Sequence, residues 1–134
     1  MKFMLLIYGA ENAWSESERN LCYAESAQLA RDLSVSGHYL AANPLKSVAT
    51  ATSVKVRGGK PIITDGPFAE TREQLGGYFL VEARDHDEAL QIAQRIPGAK
   101  FGTVEIRPIV EIPGLPTDLT ARAGDTVLQE TTAH

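Results

Sequence analysis

The chain has 134 residues, with 13 Lys and Arg against 17 Asp and Glu, so its formal net charge at pH 7 is −4. A chain of this length buries roughly two thirds of the surface its unfolded form exposes, enough for one hydrophobic core without disulfides or a structural metal. The content of 43% hydrophobic and 22% charged residues excludes a disordered or fibrous chain, and the acidic balance excludes a general attraction to nucleic-acid phosphate. Cys22 stands alone and cannot form an internal disulfide, and the three histidines lack the paired spacing of a zinc site. No cofactor or metal is expected, and a reducing, cytoplasmic setting fits. The apolar run Phe3–Ile7 is too short to span a bilayer or to serve as a signal sequence, so no membrane partner is expected.

In chain order, Lys2 to Tyr8 is a short apolar run stopped by Gly9, which predicts a strand buried on both faces. Ser15 and Glu18 have the spacing of a capping box and open a helix. Its core stripe is Cys22, Ser26, Leu29, Ala30 and Leu33, and Gly37 ends it. His38 to Ala42 and Val48 to Arg57 read as a strand that breaks at Asn43-Pro44 and resumes. Gly58-Gly59, between Val54-Lys55-Val56 and Ile62-Ile63-Thr64, predicts a hairpin, because those positions tolerate positive φ. Asp65-Gly66-Pro67-Phe68 forces a turn, and Gly76-Gly77 precedes a strand from Tyr78 to Ala83. Asp85 and Glu88 repeat the capping spacing ahead of a helix with Ala89, Ile92, Ala93 and Ile96 on one face, terminated by Pro97-Gly98. Thr103 to Ile112 alternates and reads as the last strand.

That order predicts an α+β fold of ferredoxin-like, split βαβ type: a four-stranded antiparallel sheet, two helices on one face, and a β-hairpin insertion. The uncovered face predicts a homodimer. Residues 1–112 form the domain, and 113–134 is a tail expected to pack on the domain or on the partner subunit.

Asp65 ends a strand where a carboxylate can face a cleft, although an Asp before Gly-Pro can equally cap its own turn. His38, at the helix-to-strand junction, would make an acid–base pair with Asp65 if both border one pocket; otherwise it is a hydrogen-bonded structural histidine. Glu70, Arg72 and Glu73 follow the turn, and Arg72 can clamp an anion or sit in a solvated salt bridge. Tyr8 and Tyr78 can line a ligand cavity or serve as core aromatics. Arg107, with Glu105, faces solvent or a dimer interface.

The segment Asp65-Gly66-Pro67-Phe68-Ala69-Glu70-Thr71-Arg72-Glu73-Gln74-Leu75-Gly76-Gly77-Tyr78 closely resembles the signature of the DGPF branch of the YCII-related proteins. Met4–Gly9, Ala51–Lys55, Asp87-Glu88-Ala89 and Gly102–Pro108 resemble the same family, in the right order. Ser53 and Lys55 stand where that family's run has Thr and Arg, a departure that bears on specificity if the run touches a ligand. The resemblance implies a dimeric α+β barrel, a frequent genetic association with sigma factors of the extracytoplasmic-function class, and kinship with an enzyme that eliminates chloride from a chlorinated hydroxyquinol. That enzyme uses a His and an Asp in a cleft, but its Asp lies in a differently placed motif, so the dyad does not carry over to this chain residue by residue. Two function classes follow. One is a small-molecule-binding or regulatory protein with a sigma factor as partner; the other is a cofactor-free enzyme using Asp65 and His38 for proton abstraction or elimination on a small oxygenated substrate.

Overall fold

A computed structural model describes residues 1–116. Strand β1 (Lys2–Gly9) lies inside a four-stranded antiparallel sheet of order β2-β5-β1-β6, formed with β2 (Tyr39–Pro44), β5 (Gln74–Glu82) and β6 (Thr103–Pro108). Phe3 and Leu5 are fully buried beneath the helices, whereas Met4 and Leu6, on the opposite face, are only half-buried. The strand is therefore covered on one face within the protomer rather than on both.

Helix α1 (Glu16–Val35) begins with the capping box expected of it: the Ser15 hydroxyl accepts from the Glu18 N–H at 3.1 Å, and the Glu18 carboxylate accepts from the Ser15 N–H at 2.8 Å. It ends in a Schellman turn, in which the His38 N–H donates to the Leu33 carbonyl and the Gly37 N–H to that of Ser34, with Gly37 at φ 85°. Helix α2 (His86–Ala93) starts on an Asp85 cap and stops short of Pro97; Ile96 nevertheless stays buried, beside a 3₁₀ turn over Pro97–Lys100. Both helices pack on one sheet face, and the core joins Phe3, Leu5, Phe79 and Val81 to Leu29, Leu33, Ala89, Ile92 and Ile96.

Strand boundaries also differ from the sequence reading. Strand β5 begins at Gln74, because Gly76 and Gly77 belong to the strand; Gly77 lets β2 approach so closely that a Cβ there would lie 3.0 Å from the Asn43 carbonyl oxygen. Strand β6 ends at Pro108 rather than Ile112: it pairs along β1, and β1 runs out at Lys2, whose carbonyl takes a last hydrogen bond from Ile109. Asn43 and Pro44 belong to β2, and the strand expected to resume at Val48 and pair locally starts only at Thr52, after a 3₁₀ turn over Val48–Thr50. It is β3 (Thr52–Arg57), which pairs only with β4 (Lys60–Asp65) around Gly58 and Gly59, at φ 57° and 76°. The tail expected over 113–134 lies almost wholly outside the described residues.

The chain entering β6 passes hard against the end of β1, and a Cβ on Gly102 would overlap the Tyr8 carbonyl. Gly102→Ala should lower the melting temperature by more than about 10 °C, as overpacking against backbone costs roughly 3 kcal/mol. Gly76→Ala, whose nearest neighbour would be the Ile7 oxygen at 3.8 Å, should cost little. Equal melting temperatures for the two variants in a thermal scan would contradict this account.

Candidate functional site

The core is well filled beside the second half of α1 and poorly filled beside its first half. Leu29 and Leu33 reach the sheet, but one and two turns earlier the inward positions are Cys22 and Ser26, with Ala30 alongside. Opposite them lie Gly76, Gly77 and Gly98, which have no side chains to offer. Helix and sheet consequently fail to meet, leaving a cavity of about 340 Å³ walled by Ile7, Tyr39, Phe79 and Ile96. A second cavity of about 530 Å³ shares Ile7, Cys22, Tyr23, Gly76 and Gly98 with the first and extends to Trp14, Arg19 and the 45–47 loop. Together they make one recess with an apolar inner end and a polar mouth.

Glu11 organises that mouth, and nothing in the sequence pattern singled it out. Its carboxylate accepts from the Ser47 hydroxyl at 2.8 Å and from the Val48 N–H at 2.9 Å, while its own N–H donates to the Gln74 side chain at 3.1 Å. The Arg19 guanidinium donates to the Glu11 carbonyl at 3.1 Å. Both carboxylate oxygens are thus committed to holding the wall. Lys46 and Arg19 enter no ion pair among the described residues, so the mouth favours an anion. Burial pushes the Cys22 thiol up, against a lesser opposing effect of its hydrogen bond to Ser26, which keeps it protonated and unsuited to act as a thiolate.

The residues singled out from sequence do not converge on one place. Tyr8 and Tyr78 border the recess, but register puts their rings on the helix-free face, where Tyr8 donates to Glu105 at 3.2 Å and Asn43 donates to the Tyr78 oxygen at 3.0 Å. Partial burial, followed by that hydrogen bond to Glu105, raises the Tyr8 phenol above its ordinary value. Glu70 and Arg72 are exposed on the loop after β4 and form no side-chain hydrogen bond or ion pair among the described residues. Glu73 of the same loop accepts from the Thr103 hydroxyl at 3.0 Å.

His38 and Asp65 are not brought together within the protomer. His38 precedes the first residue of β2, whereas the hairpin bearing Asp65 leaves beyond that strand's last residue, at the far end of the sheet. Asp65 pairs with Thr52 at the exposed root of the hairpin. The His38 ring instead bridges Ser36 Oγ, 2.7 Å from Nδ1, and Glu88 Oε2, 3.3 Å from Nε2. Hydroxyl, imidazole and carboxylate in that order have the look of a nucleophile relay. The Ser36 hydroxyl, however, donates to the Leu33 carbonyl at the partly negative C-terminal end of α1, where a developing oxyanion would be repelled. The cluster is a tie between the end of α1 and the start of α2.

The YCII-related domain matches residues 1–113, and the chain belongs to that family. An uncharacterised protein of Rhizobium meliloti (strain 1021) is 36% identical over 121 residues, covering 81% of this chain and 92% of that protein. Among solved structures, the 5-chloro-2-hydroxyhydroquinone dehydrochlorinase from Burkholderia phenoliruptrix AC1100, in complex with 2,5-dihydroxybenzoquinone, shares the fold. Its TM-score is 0.53 at 14% identity, with 84% of this chain and 96% of that one covered. Among the described residues no helix is long and apolar enough to cross a membrane.

The His38 cluster carries a pH signature. The Arg84 backbone N–H, and after it His38 and the Arg84 guanidinium at 2.8 Å, hold the Glu88 carboxyl below its ordinary range against the contrary pull of burial. A carboxyl with a lowered folded-state pKa adds stability that is complete above its unfolded value of about 4.3 and drains away as pH falls through the folded value. Between pH 6 and pH 3 the wild-type melting temperature should therefore fall further than that of Glu88→Gln, the two curves converging in acid. Parallel curves would show that Glu88 contributes nothing to the pH dependence.

Proposed function

We propose that this chain binds a small molecule with an apolar, ring-sized body and one anionic or oxygen-bearing group, in the recess between the first half of α1 and the end of the sheet. The observation that carries the reading is the recess itself: small helix residues facing glycines leave room for a ring, and Arg19 and Lys46 at the mouth await a negative group. A fold relative that holds a dihydroxybenzoquinone supports the ligand class. A second reading, cofactor-free elimination or proton transfer on such a molecule, draws on the same relative being a dehydrochlorinase. In one protomer His38 and Asp65 would then serve separate places, so proton transfer in the recess falls to titratable residues that line it, such as Tyr39.

The functional unit in this reading is a homodimer. On the helix-free face the two central strands align Leu80 with Met4, Tyr78 with Leu6 and Leu75 with Tyr8, an apolar band flanked by Asn43, Glu105 and Arg107. Light scattering at micromolar concentration should give twice the chain mass, and a single-chain mass would remove this part of the reading.

The ligand test is a thermal-shift screen of aromatic carboxylates, phenols and quinones, since a compound that binds only the folded chain raises its melting temperature. A hit should lose its effect in Ala27→Phe, which places a ring at the exposed rim of the recess, and should bind about three- to tenfold more weakly to Lys46→Ala. Hits unaffected by Ala27→Phe would locate the ligand elsewhere. Conversion of a hit, followed by proton NMR, would move the protein from the first reading to the second.

A further inference from the structure

We propose that the β3–β4 hairpin is an arm that lays its apolar face on a second copy of this chain. The register pairs Val54 with Ile63 and Val56 with Pro61, so these four side chains share one face. Ser53, Lys55, Arg57, Lys60 and Thr64 lie on the other, with Ile62 among them. The protomer covers neither face: Val54, Val56 and Ile63 are 64%, 61% and 67% exposed. A lone two-stranded ribbon is at best marginally stable in water and needs a further layer against its apolar side. The cations on the opposite face suit a side that stays in solvent and resists stacking with other chains.

The dimension of the interface argues for a second copy as the occupant. The inference thus rests on the homodimer reading above. The helix-free face of the main sheet spans four strands at about 4.8 Å spacing and roughly six residues at about 3.4 Å each, or about 400 Å² per copy. Stable interfaces of standard size bury about 800 Å² per partner. The arm's apolar face adds about 200 Å². In a two-fold pair each copy lays one arm and receives one, which brings the total per copy close to the standard value. The chain that leaves the arm returns to that surface: Glu73, eight residues after β4 ends, accepts from Thr103 on the helix-free face.

The test uses the full chain and sedimentation velocity across a concentration series. Val54→Lys with Ile63→Glu places opposite charges across the ribbon, which keeps its strands paired while making the face polar. Its dimer dissociation constant should rise about a hundredfold or more over wild type, with an unchanged circular-dichroism spectrum. Ile62→Glu, on the outer face opposite Lys55, should dimerise as wild type does. If the double variant misfolds, a chain with residues 53–64 replaced by a short Gly-Ser turn takes its place, as Thr52 and Asp65 are already paired neighbours. A double variant or excised chain that dimerises within about threefold of wild type would overturn the arm and leave the dimer standing. A wild type that stays monomeric would overturn the dimer, and the arm with it.

Discussion

Two helices can close only one face of a four-stranded sheet, and most of this molecule follows from which face they close. Along β1 the alternation sends Phe3 and Leu5 beneath α1 and α2 and leaves Met4, Leu6 and Tyr8 on the other side. The helix side is closed over a packed core except beside the first half of α1; the other is apolar in the middle and polar at its margins. Phe3, Leu5, Leu33, Val81 and Ile96 are buried on the helix side, each contributing roughly 1.5–3 kcal/mol toward holding the sheet against the helices.

The recess arises where this core runs out. Shortening the inward side chains of α1 to Cys22, Ser26 and Ala30 gives up packing that Leu or Ile would supply, and the facing glycines of β5 give up more. The sheet tolerates the loss because its end is fastened in other ways. Gly102 lets the chain press against the Tyr8 carbonyl, Trp14 stacks edge-on with Phe101 at 4.9 Å between ring centres, and Glu11 ties the end of β1 to the loop after β2. Bracing around the mouth holds the cavity open without filling it, and in the proposed reading that preorganisation spares a ligand the cost of ordering its site.

Local chemistry was legible in the sequence wherever a few neighbouring residues decide the structure. Ser15 with Glu18, Gly37 and Gly58-Gly59 mark a helix start, a helix end and a tight hairpin, because capping and positive φ are properties of short segments. The element order, and with it the fold, followed from these marks and the alternation between them. What depended on distant partners did not. The end of β6 is set by the start of β1, which no pattern within residues 103–112 records. Element order alone puts both Asp65 and His38 where the hairpin insertion leaves the sheet, but β2 separates the two and the hairpin departs from its far end. The recess combines absent side chains from three separate segments, and Glu11 is notable only once Ser47 and Val48 are folded against it.

The His38 cluster shows why residue type alone is a weak guide to chemistry in so small a fold. A serine, a histidine and a carboxylate are aligned within hydrogen-bonding reach, yet each already has a task at an element boundary. Ser36 satisfies a carbonyl at the end of α1, Glu88 returns to the Arg84 N–H ahead of α2, and the imidazole joins them. Helix ends expose four unpaired carbonyls or N–H groups apiece, so a short chain with two helices spends much of its polar inventory there. Groups left over for a ligand are those at which backbone demands are already met by others. At the mouth of the recess Glu11 holds the 47–48 loop and Arg19 donates to the Glu11 carbonyl, which leaves Lys46 and the other guanidinium N–H groups of Arg19 for the ligand of the proposed reading.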